Sequence, residues 1–483
     1  MKELQLFIGG GRRPAEGSRK FAKLDPYTGE KLCEVPAASA NDAIAAADAA
    51  AAAFPGWAAA KPADRRAILT KAADLVAARA QTLSGMVATE IGSPKPWGDF
   101  NCRLAAGMLR EAAALAYSSI GETIPSDVPG SLSMAVRQPV GVILAIAPWN
   151  APVILAVRSI AVPLVCGNTV VLKASEMAPQ AQYLLGEIFE EAGLPPGVLN
   201  IVSCAREDAA TVTEALVAHA SVRRVNFTGS SHVGRAIAEV AARHLKPALL
   251  ELGGKAPFIV LPDADLEEAA HAASFGAFMN QGQICMSTDR IIVDRSVAKA
   301  FVEKLAARAS KLRVGNPSLP DTQIGALISQ DAVRRMSDMV ADAVSKGAVV
   351  NAGGNADGAV FSPTVVTGVT PKMRIYQEEI FGPIAAVVEV DTEEEAVRIA
   401  NDTRYGLSAA VFGRDTARAL RVAQQLETGM CHINGPTVHD EPQVPFGGVK
   451  DSGWGRFGGR AGVNEFTELR WMTIQTEPRH YPI

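Results

Sequence analysis

A thiol, a carboxylate and an amide, each placed at an abrupt change of local pattern, are the residues of this chain best suited to chemistry on a carbonyl. Cys285 stands in "FMNQGQICMSTDR", which is neither a clean alternating strand nor an amphipathic helix. Its sulfur therefore belongs at a junction between elements, where reactive groups concentrate. A free thiol titrates near about 8.5 and is only a few per cent thiolate at neutral pH, so it attacks carbonyls only where its surroundings assist. Without that help it is a small buried hydrophobe. Glu251, in "LLELGGKAPF", is a lone carboxylate among leucines just before Gly253-Gly254. Apolar flanks raise its pKa and suit it to proton transfer, whereas pairing with Lys255 would make it structural. Asn150, in "APWNAP", ends an apolar run ahead of Pro152. An amide held there can donate to a developing oxyanion, a contact worth about 3 kcal/mol, or can simply cap a helix.

These groups need elements to position them. The first ~120 residues are alanine-rich, and "NDAIAAADAAAAAFPGWAA" and "KPADRRAILTKAADLVAARAQTLSGMVATEIG" each read as a helix opened by Asn, Asp or an early Pro. From Val140 the runs "GVILAIA", "NTVVLKA", "VRRVNFTG" and "APFIVL" alternate with helical stretches, which implies a parallel sheet carrying ligands at the carboxyl ends of its strands. Asn150, Lys173 and Gly229 fall just after such strands. A second α/β series follows Cys285, with "RIIVD", a helix near Ala298–Leu312, "AVVEV" and a helix near Glu393–Thr403. The stretches "GETIPSDVPGSLSMAVRQ" and "FTELRWMTIQTEPRHYPI" read as extended pieces outside both units that could pair into a sheet used for assembly.

Bulk composition excludes several classes of function. The 483 residues suit two to four domains, and 48% hydrophobic with 20% charged residues is ordinary for a globular chain. A net charge of −4 supplies no basic surface for nucleic acid or anionic lipid. The partners expected are a small molecule and further copies of the chain. Six cysteines without C-x-x-C spacing argue against a zinc site and a disulfide framework; no metal is expected, and a reducing compartment, the cytoplasm, is. The start "MKELQLFIGGGRRP" is a poor signal peptide. The apolar run from Pro139 to Gly167 holds Asn150, Arg158 and four prolines, so a buried strand, turn and helix fit it better than a membrane span.

The segment "FTGSSHVG" puts Gly229 and Gly234 at a strand exit before a helix, where backbone N–H groups and a helix N-terminus can meet a pyrophosphate. It differs from a P-loop because Arg235 and Ala236 stand where Lys and a hydroxyl residue are required. Phosphoryl transfer is thereby disfavoured.

Taken together, "PWN" at 148–150, "LELGGKAP" at 250–257, "NQGQIC" at 280–285, "EEIFGP" at 378–383 and "PFGGVKDSG" at 445–453 resemble segments of the aldehyde dehydrogenase superfamily, in that family's order and over nearly the whole chain. The resemblance implies an α/β fold: a Rossmann-like NAD-binding domain (1–117 and 139–252), a second α/β catalytic domain (253–466) and a small β oligomerisation extension (118–138 and 467–483). It implies a homodimer or homotetramer. It also implies that Cys285 attacks an aldehyde, that the Asn150 amide and the Cys285 N–H hold the oxyanion, and that Glu251 activates water to release the acid. Among the cofactor residues, Trp149 belongs to the "PWN" segment, Ser230 would touch phosphate, and Lys173 and Glu176 would flank the adenosine ribose. Glu379 would bind the nicotinamide-side ribose and Phe381 would pack on the ring. A carboxylate at the ribose repels a 2′-phosphate, so NAD is expected over NADP, although Lys173 would suit a phosphate and keeps NADP open.

The wording "MAVRQPVGVILAIAPWNAPVIL" and "CHINGPTVHDEPQVPFGG" is similar to the branch that oxidises aromatic aldehydes such as vanillin, salicylaldehyde and benzaldehyde. Arg158 lies in an otherwise apolar helix, so its charge needs a partner: a polar group on a substrate ring or an internal carboxylate. Trp97 could wall the pocket, and His439 and Phe446 flank the same late loop. Aliphatic or semialdehyde oxidation is the alternative within the family, and a cofactor-independent thiol hydrolase is the alternative outside it. No histidine in the shared segments would serve such a hydrolase as base. After Gly453 the continuation "WGRFGGRAG" departs from the family's usual Gly-Arg-Glu-like element, so nothing is carried over to that region.

Overall fold

The computed structural model describes residues 2–118 and 120–483. Met1, in the expected first unit, and Ser119, in the expected assembly segment, lie outside the described residues. Two sheets with parallel cores organise the chain. The first runs in the order Gly453–Trp454, Ala248–Glu251, Val222–Thr228, Val142–Ile146, Thr169–Lys173, Leu199–Val202, Leu6–Ile8, Gly11–Arg13. Its five central strands are mutually parallel. The other three join through antiparallel pairs. Every residue of Val142–Ile146 and Thr169–Lys173 is buried, as helices on both faces require.

The chain starts the parallel core at Val142–Ile146, steps outward on one side, then returns to the other side through Val222–Thr228. That reversal leaves a crevice beyond the carboxyl ends of these two neighbours, the place where open α/β sheets bind ligands. The apolar run at 139–167 is the strand Val142–Ile146, a turn, and the buried helix Pro152–Val165 with Pro152 in its first turn. Among the described residues no helix is long and apolar enough to cross a membrane.

The second sheet has the order Val349–Ala352, Thr364–Thr367, Ile384–Val390, Thr288–Asp294, Ala256–Val260, Ser408–Phe412, Met430–Ile433, parallel except at its first pair. Only Leu252–Lys255 separates the last parallel strand of the first sheet from the first of the second, so Glu251 stands at the seam. The two extended segments pair with each other: Thr467–Gln475 runs antiparallel to Ser131–Pro139 over its whole length, with Glu122–Ile124 on the far edge.

Two local features differ from the sequence reading. The single helix expected over 61–92 is two, Pro62–Ala78 and Ala80–Ile91, broken at Arg79. Both pack on Lys95–Ala114, and the bend keeps each half against it. The break carries no Gly or Pro, because tertiary packing sets it. Residues 453–466, placed with the second unit on sequence, run back to the first sheet. There Gly453, with φ 102°, passes so close to the Leu250 carbonyl that a Cβ would collide with it. Ser452 ties both units together: its Oγ donates to the Gly253 carbonyl at 2.7 Å and accepts from the Gly406 N–H at 2.9 Å.

Candidate active site

Cys285 follows a backbone segment that few sequences tolerate. Asn280 (φ 50°), Gln281 (φ 55°) and Gly282 (φ 67°) are consecutive left-handed residues, the first two with side chains. Each such residue costs of order 1–3 kcal/mol and persists only where its surroundings over-determine it. Here they do. Asn280 Nδ2 donates to the Asn150 carbonyl at 3.1 Å and its Oδ1 accepts from Ser93 Oγ. Gln281 Nε2 donates to the carbonyls of Gly92 (3.2 Å) and Ala326 (2.9 Å), and Ser287 Oγ donates to the Gly282 carbonyl at 3.0 Å. A Cβ on Gly282 would run into the Gly382 carbonyl. The glycine and amides that looked unusual around the cysteine in sequence are what hold the turn.

The other two expected groups meet this turn from the first sheet. The Asn150 side chain is buried, and its Nδ2 donates to the carbonyl of Gln283 at 3.0 Å, two residues before the cysteine. An amide nitrogen carries two hydrogens, so one orients the group and the second is free to point at a reacting oxygen. The capping alternative is not what is seen: Asn150 makes no cap to the helix Pro152–Val165. Glu251 ends its strand 1% exposed, and no N–H or O–H among the described residues donates to its carboxylate, which meets the Cys285 thiol instead. Lys255 does not pair with it; it bonds Asp289 at 2.9 Å and the Ile375 carbonyl at 2.7 Å. Burial lifts the Glu251 pKa to about 7, opposed chiefly by Arg158 and by contact with the Cys285 thiol. The thiol, still partly accessible, is pushed well above its usual range by burial and then by Glu251. At rest, then, the sulfur is protonated beside a carboxylate poised to change charge near neutrality.

A crevice of about 390 Å³ lies beyond the switch point, lined by Trp149, Asn150, Gly229, Ser230, Glu251, Cys285, Glu379 and Phe381 among others. Trp149 and Phe381 meet edge to face, with centroids 5.8 Å apart. Glu379 Oε1 accepts the Gly254 N–H at 3.0 Å, and Arg335, also in the lining, donates to the carbonyls of Glu379 (3.2 Å) and Phe381 (3.4 Å). Ser230 is an N-cap, its Oγ accepting the Val233 N–H at 3.3 Å, so the N–H groups of Ser231 and His232 are the ones left without intrahelical partners at the start of the helix Ser231–Arg243. Gly234 does not supply an N–H as expected. That group is spent on the Ser230 carbonyl at 2.8 Å, and the residue is glycine because a Cβ would run into Leu252. Lys173 and the half-buried Glu176 follow the neighbouring strand and lie outside the crevice lining.

A second cavity, about 290 Å³, opens on the opposite side of the sulfur. The two spaces share Asn150, Leu155 and Cys285, so the thiol stands where they meet. All four residues proposed for a substrate wall, Trp97, Arg158, His439 and Phe446, line this cavity. Trp97 Nε1 donates to the Asn150 carbonyl at 2.9 Å, and His439 is exposed, its ring nitrogen 3.0 Å from Glu441. The Arg158 partner is internal: Asp440, also in the lining, forms an ion pair with it, and the guanidinium lies 4.1 Å from the Phe446 ring centre. Sequence reading overlooked Asp440, Arg335, Phe100 and Phe275. Only Asp440 and Arg335 carried a charge that could have marked them.

Two mainly parallel sheets sharing a seam, with a ligand crevice at the switch point of one and a thiol facing it from the other, define an α/β enzyme with a thiol nucleophile beside a nucleotide-type crevice. The family model for the aldehyde dehydrogenase family matches residues 13–472, and the chain belongs to that family. It is 56% identical to a vanillin dehydrogenase of Pseudomonas fluorescens over the full length of both. It is 41% identical to a benzaldehyde dehydrogenase [NAD(+)] of Pseudomonas putida, over 95% of this chain and 94% of that one. The solved structure of a salicylaldehyde dehydrogenase from Pseudomonas putida G7, complexed with salicylaldehyde, superposes with a TM-score of 0.98 at 46% identity, covering all of both chains.

Proposed function

We propose that this protein oxidises an aromatic aldehyde to its carboxylic acid with NAD, through a thiohemiacetal and then a thioester on Cys285. The observation that carries the reading is the thiol at the meeting point of a nucleotide-type crevice and an aromatic-walled cavity. The relatives named for vanillin, benzaldehyde and salicylaldehyde support the choice of substrate. So do Trp97, Phe100, Phe275 and Phe446, which wall a cavity just below the roughly 300–1,000 Å³ usual for small-molecule sites.

Cys285 gives its proton toward Glu251 and adds to the carbonyl carbon. The oxyanion that forms accepts from the second Asn150 Nδ2–H and from the Cys285 N–H. Glu251 passes the thiol's proton on to bulk water, and then takes a second proton from the water that attacks the thioester; the carbon–sulfur bond breaks, the acid leaves and the sulfur regains a proton. Bound nicotinamide supplies the acceptor for the hydride lost between these stages. The crevice fits such a cofactor: Trp149 and Phe381 offer ring faces, Glu379 an acceptor for ribose hydroxyls, and the start of the helix Ser231–Arg243 the N–H groups of Ser231 and His232 for phosphate. Glu176, beyond the next strand, favours NAD over NADP, and the NAD(+)-named relative agrees with that preference. In the same reading the three-stranded sheet, with Leu469, Trp471, Met472 and Ile474 exposed, pairs copies into a dimer or tetramer.

The test is a panel of benzaldehyde, its hydroxy and methoxy derivatives, acetaldehyde and hexanal with NAD, followed by absorbance of the reduced cofactor. The aromatic substrates should show the higher kcat/KM. Equal or better use of acetaldehyde or hexanal would refute the aromatic assignment.

A further inference from the structure

Beside the substrate cavity lies a larger one that the chemistry above leaves without a task. It holds about 470 Å³ and shares Trp97, Phe275 and Met279 with the cavity at Cys285, so those three side chains stand between the two spaces. One wall is a single face of the helix Leu266–Phe278, where His271, Ser274, Phe275 and Phe278 follow the i, i+3, i+4, i+7 spacing. The other side of that helix, with Ala269, Ala270, Ala273 and Ala277, is buried in the core. A helix packed on one side is expected to turn polar residues outward, yet this one sets two phenylalanines on the groove, and Phe275 is 42% exposed. The end of the helix Arg295–Ala309 brings Arg308 to the same space, with Lys311 and Leu312 one turn on. Among the described residues no carboxylate lines the groove, so the charges there, Arg308 and Lys311, are both cationic.

We propose that this groove is a second subsite of the same active site, holding the distal ring of an aldehyde whose two aryl groups are joined by a short link, as in the phenoxybenzaldehydes. The inference rests on the aromatic reading and deepens it. A ring suits the groove because it can pack on Phe275 and Phe278 while its π face meets the cations of Arg308 and Lys311. Arg308 is held in place by its ion pair with Glu267. The cavity of about 290 Å³ at Cys285 takes the first ring with its carbonyl, and the link crosses at the shared wall. That wall can yield. Met279 is unbranched and Phe275 stands partly in water, so both can change rotamer, whereas Trp97 is pinned by its bond to the Asn150 carbonyl. The crossing leaves the chemistry untouched, since Asn150, Glu251 and Cys285 are not in the lining of the groove.

The experiment measures kcat/KM with NAD for benzaldehyde, hexanal, 3-phenoxybenzaldehyde and 4-phenoxybenzaldehyde in the wild type, in Ser274→Trp and in His271→Trp. Each substitution fills the groove from the helix face, and neither position lines the cavity at Cys285. Two positions keep the proposal testable should one variant fail to fold. Inhibition by the matching phenoxybenzamide is compared with that by benzamide, so that binding is read without turnover, and native mass is recorded for each protein. In the wild type one phenoxy isomer should be used at least as well as benzaldehyde. In both variants the ratio of that isomer to benzaldehyde should fall about 10- to 100-fold, the loss expected when one buried ring is excluded, while benzaldehyde itself stays within about twofold. The inhibitor ratio should fall in step. Three results would overturn the proposal alone: a wild type that uses neither phenoxy isomer as well as benzaldehyde, a ratio unmoved by filling the groove, or an altered native mass in the variants, which would make the groove a contact between copies. Hexanal used as well as benzaldehyde would sink the aromatic reading instead, and the wild type alone reports it.

Discussion

Glu251→Gln isolates what it costs to hold a buried carboxyl at the seam. Glu251 is 1% exposed with no N–H or O–H donating to it, and burial lifts its pKa from 4.5 to about 7 against the opposing effects of Arg158 and the Cys285 thiol. A carboxyl whose folded pKa exceeds its unfolded value binds its proton more tightly when folded. Its stabilising contribution is therefore full below about 4.5 and is lost as pH rises through 7. The gap corresponds to on the order of 3 kcal/mol, most of which separates pH 5 from pH 8. Gln is neutral throughout, so whatever fixed offset it brings, the stability of Glu251→Gln relative to wild type should improve by roughly 2–3 kcal/mol between those two pH values. For a chain of 483 residues, unfolding entropy is near 1 kcal/mol per kelvin, so the Tm difference should move by about 2–3 °C. Differential scanning calorimetry of both proteins at pH 5 and pH 8, without cofactor and at one scan rate, provides the comparison. A Tm difference that is the same at both pH values, or that moves toward the wild type at pH 8, would show that Glu251 is not held in a charge-penalising site and would remove the physical basis for its role as a base.

Asn150→Ala should lower kcat about 10²- to 10³-fold with little change in KM for benzaldehyde, because the amide meets an oxyanion that exists only beyond the ground state; steady-state kinetics with saturating NAD would show it, and a change confined to KM would contradict the oxyanion role. Glu176→Gln should narrow the preference for NAD over NADP by about tenfold in kcat/KM by removing repulsion of the 2′-phosphate; an unchanged ratio would assign cofactor choice to other residues.

The periodic and punctuated parts of the sequence were readable. The apolar runs that became the parallel strands, and the proline-framed turn at Asn150, follow from local pattern alone. The helix break at Arg79 did not, since nothing local marks it and only packing on Lys95–Ala114 requires it. The strand Gly453–Trp454 was missed for a related reason: two residues long, it exists because a glycine with φ 102° can slide beside the Leu250 carbonyl. Gly234 shows how motif and cause can separate. It occupies the position expected of a phosphate contact, yet close packing on Leu252 explains it.

Arg158 marks where legibility ends at the site. A guanidinium in an apolar helix announces that a counter-charge exists, but the candidates were a substrate group and a carboxylate anywhere in the chain. The fold supplies Asp440, 282 positions away. The observed partner is the internal carboxylate. Both members of the pair line the cavity beside Cys285. The same logic governs the turn before Cys285. The chain tolerates left-handed Asn280 and Gln281 because their amides reach Asn150, Gly92 and Ala326 on other elements. Loosening those tethers would release the strain and move the sulfur away from the amide and carboxylate at once. The unit that must stay rigid is thus the seam itself, more than any one of the three side chains.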